Sequence, residues 1–239
     1  MKRGELLYEG KAKKIYLTNE ADKVWVAYKD DATAFNAQKK GTIRNKGELN
    51  NRISARFFRL LGAHGIAHHF LEELSATEQL VKKVTILPLE VVVRNIAAGS
   101  LAKRLGIEEG RRFSRPVVEF YYKNDDLGDP LINEDHIAIQ ELASSEQTAE
   151  MKKVALRING LLADVMASCG ITLVDFKVEF GMDPAGNLLL ADEISPDTCR
   201  FWDSKTGEKL DKDRFRRDLG DVEGAYREIW NRLGGETHV

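Results

Sequence analysis

Cysteine, long apolar runs and charge of one sign are all scarce in this 239-residue chain. Its two cysteines, Cys169 and Cys199, are too few and too far apart for a disulfide framework or a CxxC metal knuckle, so a reduced compartment fits them. The longest apolar runs, such as Val91 to Val93 and Leu188 to Ala191, fall far short of a bilayer's thickness. The start, Met1-Lys2-Arg3-Gly4-Glu5, lacks the apolar stretch of a signal peptide, so a cytoplasmic location without membrane association is expected. Thirty-six basic against thirty-eight acidic residues give a formal charge of -2, with no basic tail. That balance argues against a nucleic-acid partner and requires any anionic substrate to be gripped locally. No repeat, low-complexity tract or Pro/Ser-rich linker is present, so a domain boundary must be a change of pattern. At 43% hydrophobic composition the chain can bury a core as one compact unit or two intimate subdomains.

The first third reads as strand-rich. Leu6 to Tyr8, Lys14 to Leu17 and Val24 to Lys29 carry β-branched and aromatic residues, and Glu9-Gly10-Lys11-Ala12-Lys13 between the first two reads as a tight hairpin. From about Glu48, the residues Leu49, Ile53, Phe57, Leu60 and Leu61 recur at helical spacing, with Gly62 and Gly65 as stop signals. Strands are expected at Glu78 to Val84 and Leu89 to Asn95, and helices at Ala98 to Leu105 and Glu146 to Cys169. Ile171 to Phe180 and Leu188 to Ile194 read as strands joined across Asp183-Pro184-Ala185-Gly186-Asn187. Helices around Lys212 to Asp218 and Val222 to Leu233 close the chain. Strands and helices do not alternate regularly, which predicts an α+β fold with a loose division near residue 86.

The chemistry concentrates in Val174-Asp175-Phe176-Lys177-Val178-Glu179-Phe180. A strand's two-residue period sends Asp175, Lys177 and Glu179 to one face and the apolar residues to the other. A solvated sheet face with cross-strand ion pairs is the ordinary reading of such a strand. The next strand, however, is apolar until Asp192 and Glu193, and hairpin pairing would bring Asp192 near Glu179 or Asp175. Hard oxygen ligands beside a lysine suit Mg²⁺ carrying nucleotide phosphates. Gly10-Lys11-Ala12-Lys13-Lys14 could close over those phosphates, although a lysine-bearing hairpin is more often just a soluble turn and no P-loop pattern is present. Arg94-Asn95, Gly99-Ser100 and Ser195-Pro196-Asp197-Thr198-Cys199-Arg200 are anion-binding candidates. A simple helix-end contact for Ser100, a surface ion pair for Arg94 and a turn charge for Lys123 are their alternatives. His64, His68, His69, His136 and His238 show no metal spacing and read as structural or solvent-facing. Cys199 has no Cys-His motif around it and reads as a small loop residue.

Taken in order, Tyr8-Glu9-Gly10-Lys11-Ala12-Lys13, Asn45-Lys46-Gly47, Asn50-Asn51, Pro88 to Asn95, Ala97-Ala98-Gly99-Ser100, Lys123-Asn124-Asp125, Asp129-Pro130, Val174 to Gly181 and Asp192 to Asp197 resemble the bacterial SAICAR synthetase family over nearly the whole chain. The resemblance implies a two-subdomain α+β fold related to ATP-grasp enzymes and distantly to kinases. A β-rich lobe of residues 1–86 would cover ATP against a lobe of residues 87–239. It implies an ATP-dependent ligase of purine biosynthesis that joins L-aspartate to carboxyaminoimidazole ribotide, with Mg²⁺, as a homodimer. Gly10, Lys11, Lys13, Lys82, Glu90 and Lys123 would bind ATP, and Glu179 and Asp192 would hold the metal. Arg94, Ser100, Asp197 and Arg200 would bind the ribotide, with Asp175 and Lys177 near its reacting carboxylate. The family often carries glycine after the Asn or Asp of its Thr-Ala-Phe-Asn segment, whereas here Asn36 is followed by Ala37, so Asn36 is not counted in the site. The residues alone also suit a small-molecule kinase, or a non-catalytic module that binds ATP as a regulatory ligand.

Overall fold

The computed structural model describes residues 1–34 and 38–235; the Asn36-Ala37 departure and His238 lie outside them. Strict alternation makes the first sheet. In β3 (Lys23–Tyr28) every second residue is buried, so Val24, Val26 and Tyr28 face inward. β3 pairs with β2 (Lys13–Thr18), which pairs with β1 (Arg3–Glu9) across a turn closed by Gly10 N–H donating to the Lys13 carbonyl at 2.8 Å. The hairpin β4 (Asp31–Ala34) and β5 (Lys39–Thr42) stands apart as a two-stranded sheet.

Helix α1 (Lys46–Ala63) follows, burying Leu49, Ile53, Phe57 and Leu61 at four-residue steps. Gly62 does not stop it: that residue lies inside the helix, where a Cβ would crowd the His68 ring. The chain turns instead at Gly65, φ 72°. β6 (Phe70–Ser75) and β7 (Glu78–Lys82) complete a five-stranded sheet in the order β1-β2-β3-β7-β6.

The larger sheet begins with β8 (Thr85–Ile96), so residue 86 lies at its start. α2 (Gly99–Leu105), β9 (Arg112–Tyr122), a single 3₁₀ turn at Asp125–Leu127, β10 (Leu131–Ile132) and α3 (Glu134–Ile139) lead to α4 (Ser145–Ser168). A capping box fixes the start of α4, with Ser144 accepting from Gln147 N–H and Gln147 reaching back to Ser144 N–H. β11 (Ile171–Met182) is the central strand, flanked by β8 on one side and by β12 (Leu188–Ala191) and β13 (Cys199–Asp203) on the other. α5 (Asp213–Arg216) and α6 (Val222–Arg232) follow, α5 being shorter than the sequence pattern suggests.

One hydrophobic core joins α1, α4 and α6 to the larger sheet through Val91, Val93, Phe176, Val178 and Phe180. Helix α1 therefore precedes residue 86 in sequence yet packs with elements that follow it. The two sheets are tied at His69, whose N–H donates to the Leu190 carbonyl at 2.9 Å and whose carbonyl accepts from Lys82 N–H at 2.7 Å. Mixed strands and helices without regular alternation make the architecture α+β. Among the described residues, no helix is long and apolar enough to cross a membrane.

Candidate functional site

Because Phe176, Val178 and Phe180 face the core, the intervening residues of β11 must face the other way. Antiparallel register sets Glu179 opposite Glu90 and Asp175 opposite Arg94, so β8 adds its polar residues to the same face. On the other side Glu179 pairs with Ala191, and Asp192 follows at the strand end with φ 61°. That left-handed turn ends β12 at Ala191, short of the Ile194 its apolar run suggests. The residues assigned to ATP, the metal and the ribotide all line one cleft of about 940 Å³ above this face, whereas Asn95, Gly99, Ser195 and Pro196 of the anion-binding candidates do not.

At the centre, the Lys177 ammonium lies 2.7 Å from Glu179, 2.9 Å from Glu90 and 3.8 Å from Asp192. Lys123 reaches the second Glu179 oxygen, and Lys13 comes down from the hairpin to Asp192, with Glu193 at 3.1 Å. Burial alone would depress Lys13 and Lys177, but their carboxylate partners outweigh it and raise both well above the ordinary lysine value. Asp192, half-buried, is held well below the usual carboxylate range by Lys13 and Lys177. These groups are charged at neutral pH.

Arg94 and Arg200 organise one end. Arg94 donates to Asp175 at 2.6 Å, Glu119 at 2.7 Å, Tyr121 at 3.1 Å and Ser100 at 3.3 Å. Buried among two carboxylates, it is not the surface ion pair of the alternative reading. Ser100 is not a cap either: the N-cap of α2 is Ala98, which makes no side-chain cap bond, and the Ser100 hydroxyl accepts from Arg94. Arg200 donates to Asp175 at 2.8 Å and to Asp213 at 2.9 Å. Gly99, φ 55°, leaves room for that guanidinium, which a Cβ would strike.

The opposite end lies under the hairpin. Val24, Val26 and Val81 give an apolar bed beside Lys82 and Glu90, suited to a planar ring. Lys11 crosses the mouth to Asp125 at 2.6 Å. A Cβ at Gly10 would stand 3.1 Å from the Tyr8 ring, so glycine lets the turn sit close to it.

Several cleft residues carried no readable signal. Tyr121, which lines the cleft, and Glu119, which accepts from its hydroxyl, lie on β9, where Pro116 interrupts the strand pattern. Asp197 lines the cleft, but Lys46 at 2.7 Å and the Tyr226 hydroxyl at 2.6 Å already occupy its carboxylate. Lys212 and Arg216 line the same wall. Cys199 is buried, and its burial pushes the thiol up, which suits a structural residue rather than a nucleophile. Among the described residues, no group of three or more His, Cys, Asp or Glu side chains stands ready as a metal cage.

His69 also lines the cleft, against Phe58 with ring centroids 5.2 Å apart. Burial, then the Lys13 charge, pushes its imidazole down to about 3. The unfolded chain thus binds the proton more readily between about pH 6.5 and 3, so this contribution to stability is complete above that window and lost as pH falls through it. His69→Gln should flatten the acid limb of the unfolding free energy, measured by denaturant titration between about pH 6.5 and 4, by an amount on the order of a few kcal/mol. An acid limb as steep as the wild type's would mean that His69 is not held neutral by the fold.

The family model for SAICAR synthetase matches residues 6–233. A phosphoribosylaminoimidazole-succinocarboxamide synthase of Brevibacillus brevis is 62% identical over 239 residues, covering 100% of both chains. The solved phosphoribosylaminoimidazole-succinocarboxamide synthase of Ehrlichia chaffeensis superposes with a TM-score of 0.95 at 47% identity, covering 98% of this chain and 100% of that one. A SAICAR synthetase solved in complex with ADP gives a TM-score of 0.95 at 50% identity, again over 98% and 100% of the two chains.

Proposed function

The chain belongs to the SAICAR synthetase family, the ATP-dependent ligases of purine biosynthesis that join L-aspartate to carboxyaminoimidazole ribotide, and we propose that it forms the amide through an acyl phosphate. The observation that carries this reading is the single cleft in which Lys177 stands between a lysine-bearing hairpin and the Arg94–Arg200 end. A ribotide carboxylate resists an amine because oxide is a poor leaving group. Transfer of the γ-phosphoryl group from ATP to that carboxylate breaks the γ-phosphate's bond to the bridging oxygen and releases ADP. The aspartate amine then attacks the acyl carbon, phosphate departs with the bonding pair, and the amine loses a proton.

In this reading Arg94, Ser100 and Arg200 grip the ribotide phosphate, with Asp175 fixing both guanidinium groups. Asp197 acts on the same end from behind, by holding its loop. ATP lies between the lobe of residues 1–86 and that of residues 87–239, with Lys82 and Glu90 beside the base and ribose. Its phosphates, under Gly10, compete with Asp125, Asp192 and Glu179 for Lys11, Lys13 and Lys123. Lys177 offsets the charge that develops at the transferring group and the carboxylate beside Asp175.

The donor set fits Mg²⁺, since carboxylates of Glu90, Glu179 and Asp192 already converge on one cation, the Lys177 ammonium. Glu179 and Asp192 would hold the metal, with substrate phosphates completing its shell, which is the ordinary way Mg²⁺ is bound without a full protein cage. It would neutralise phosphate charge during transfer. A homodimer and a cytoplasmic setting belong to the same reading and rest on the family resemblance and the two free cysteines.

The purified protein should release ADP and phosphate only when ribotide, L-aspartate and Mg²⁺ are all present, with one succinocarboxamide formed per ATP. Product analysis by chromatography checks this. A stable phosphorylated ribotide accumulating without aspartate would favour a kinase instead, and ATP binding without turnover would favour a regulatory module.

A further inference from the structure

We propose that Glu193 is the positioning residue for Lys13, holding that ammonium at the phosphate end of the cleft while Asp192 serves the metal, an assignment that rests on the nucleotide and Mg²⁺ reading above. Asp192 has two claims on it. Lys13 lies against one of its oxygens, and Lys177 stands 3.8 Å from the other. A carboxylate that turns to a divalent cation cannot stay the counter-ion of a lysine beside it, because metal and ammonium repel. Lys13 is mostly buried, and a buried ammonium left without a carboxylate is costly. Glu193, at 3.1 Å, is the carboxylate that remains to it.

Backbone geometry brings the pair together. In a regular strand consecutive side chains point to opposite faces, but the left-handed Asp192, φ 61°, breaks that alternation, and the carboxylates of Asp192 and Glu193 meet the same ammonium. Glu193 is the fixed one of the two. It is 3% exposed, against 19% for the Asp192 side chain. Its Oε1 faces Lys13, and its Oε2 accepts from the Ser195 hydroxyl at 2.7 Å. The Ser195 hydroxyl oxygen accepts in turn from Asp197 N–H at 3.1 Å, and Ile194 N–H donates to the Ser54 hydroxyl of α1 at 3.2 Å. One oxygen is therefore braced by its own loop while the other is left to the lysine. The Tyr28 ring, 5.5 Å from the Lys13 nitrogen, closes another side, but a ring face carries no net charge and cannot replace the acid.

The same division recurs at Lys177. Of its three carboxylates, Glu179 and Asp192 are the two assigned to the metal, and Glu90 stays at 2.9 Å. Each of these two lysines thus keeps one acidic partner outside the metal pair. Lys123 differs, because its side chain is 42% exposed and water can take the place of Glu179. A held acid therefore stands beside the lysines that water reaches least.

Calorimetric titration with ADP, in the presence and absence of Mg²⁺, tests this on Glu193→Gln beside the wild type. Without metal Asp192 still holds Lys13, so the variant's affinity for ADP should stay within about threefold of the wild type's. With Mg²⁺ one carboxylate must serve two cations, and the gain in ADP affinity that Mg²⁺ brings should shrink at least about tenfold. A Glu193 that only braces its loop would weaken ADP binding by the same factor in both conditions; that result, or a full Mg²⁺ gain in the variant, would overturn the assignment. Wild-type protein measured in parallel separates the levels: an ADP affinity that does not rise with Mg²⁺ would sink the metal reading itself, and the assignment with it. Should Glu193→Gln not fold, Ser195→Ala decides the matter, since it keeps both charges and frees Oε2. Its Mg²⁺ gain should shrink at least about threefold, and an undiminished gain would overturn the proposal.

Discussion

Asp192→Asn should lower turnover by about a hundredfold or more while the chain stays folded. The substitution keeps an oxygen in place and removes one negative charge. Asparagine accepts the left-handed backbone that Asp192 adopts at φ 61°, so the turn ending β12 survives. Neither lysine is stranded, because Lys13 retains Glu193 at 3.1 Å and Lys177 retains Glu179 and Glu90. What is lost is one of two carboxylates proposed to hold Mg²⁺, and with it charge neutralisation where the phosphoryl group moves. Raised Mg²⁺ should recover part of the activity. On the alternative that Asp192 is only a strand-end charge, replacement changes stability by about half a kcal/mol and leaves turnover alone. Circular dichroism, a thermal midpoint and Mg²⁺-dependent turnover on one sample decide between them; wild-type turnover at every Mg²⁺ concentration would end the metal assignment.

The floor of the cleft was legible because a strand's period is local. Asp175, Lys177 and Glu179 declare their shared face by alternating with Phe176 and Val178, and the turn at Asp183–Asn187 brings the end of β12 back beside them. The hairpin at Gly10 was legible for the same reason. Helices α1 and α4 showed themselves by apolar spacing, and only their ends moved by one to three residues.

What stayed hidden depends on separation in sequence. Lys46 and Asp197 form a buried pair 151 residues apart, and neither residue's neighbours announce it. β9 carries Pro116 near a register shift between Arg94 and Ile96, so its pattern breaks where the strand itself is irregular. β13 was read only as a loop carrying Arg200, although pairing with β11 is what aims that guanidinium at Asp175. α5 lasts four residues, too short for periodicity to expose Lys212 and Arg216 as cleft residues rather than closing surface. The division near residue 86 followed the strand pattern, whereas α1 packs by its apolar face, which the core of the larger sheet receives.

Arg94 should show the largest combined effect on stability and substrate binding. Its guanidinium is almost wholly buried and satisfies Asp175 and Glu119 at once, at 2.6 and 2.7 Å. Arg94→Ala leaves two buried carboxylates short of a partner, and loss of one member of such a network costs about 3–5 kcal/mol. Arg200 still reaches Asp175 and Arg104 still reaches Glu119, which places the cost towards the lower end of that range. Arg94→Lys isolates the functional part. Lysine keeps the charge but replaces a planar fork with a single ammonium, which cannot serve Asp175, Glu119 and an incoming phosphate together. Its thermal midpoint should fall less than that of Arg94→Ala, while its KM for the ribotide should rise about tenfold or more and its KM for ATP stay near wild type. Denaturant titration and initial rates with each substrate varied in turn measure both parts. A ribotide KM at wild-type level beside a weakened ATP would show that the arginine serves the nucleotide, and the ribotide phosphate would have to be sought on the other side of the Lys177 cluster.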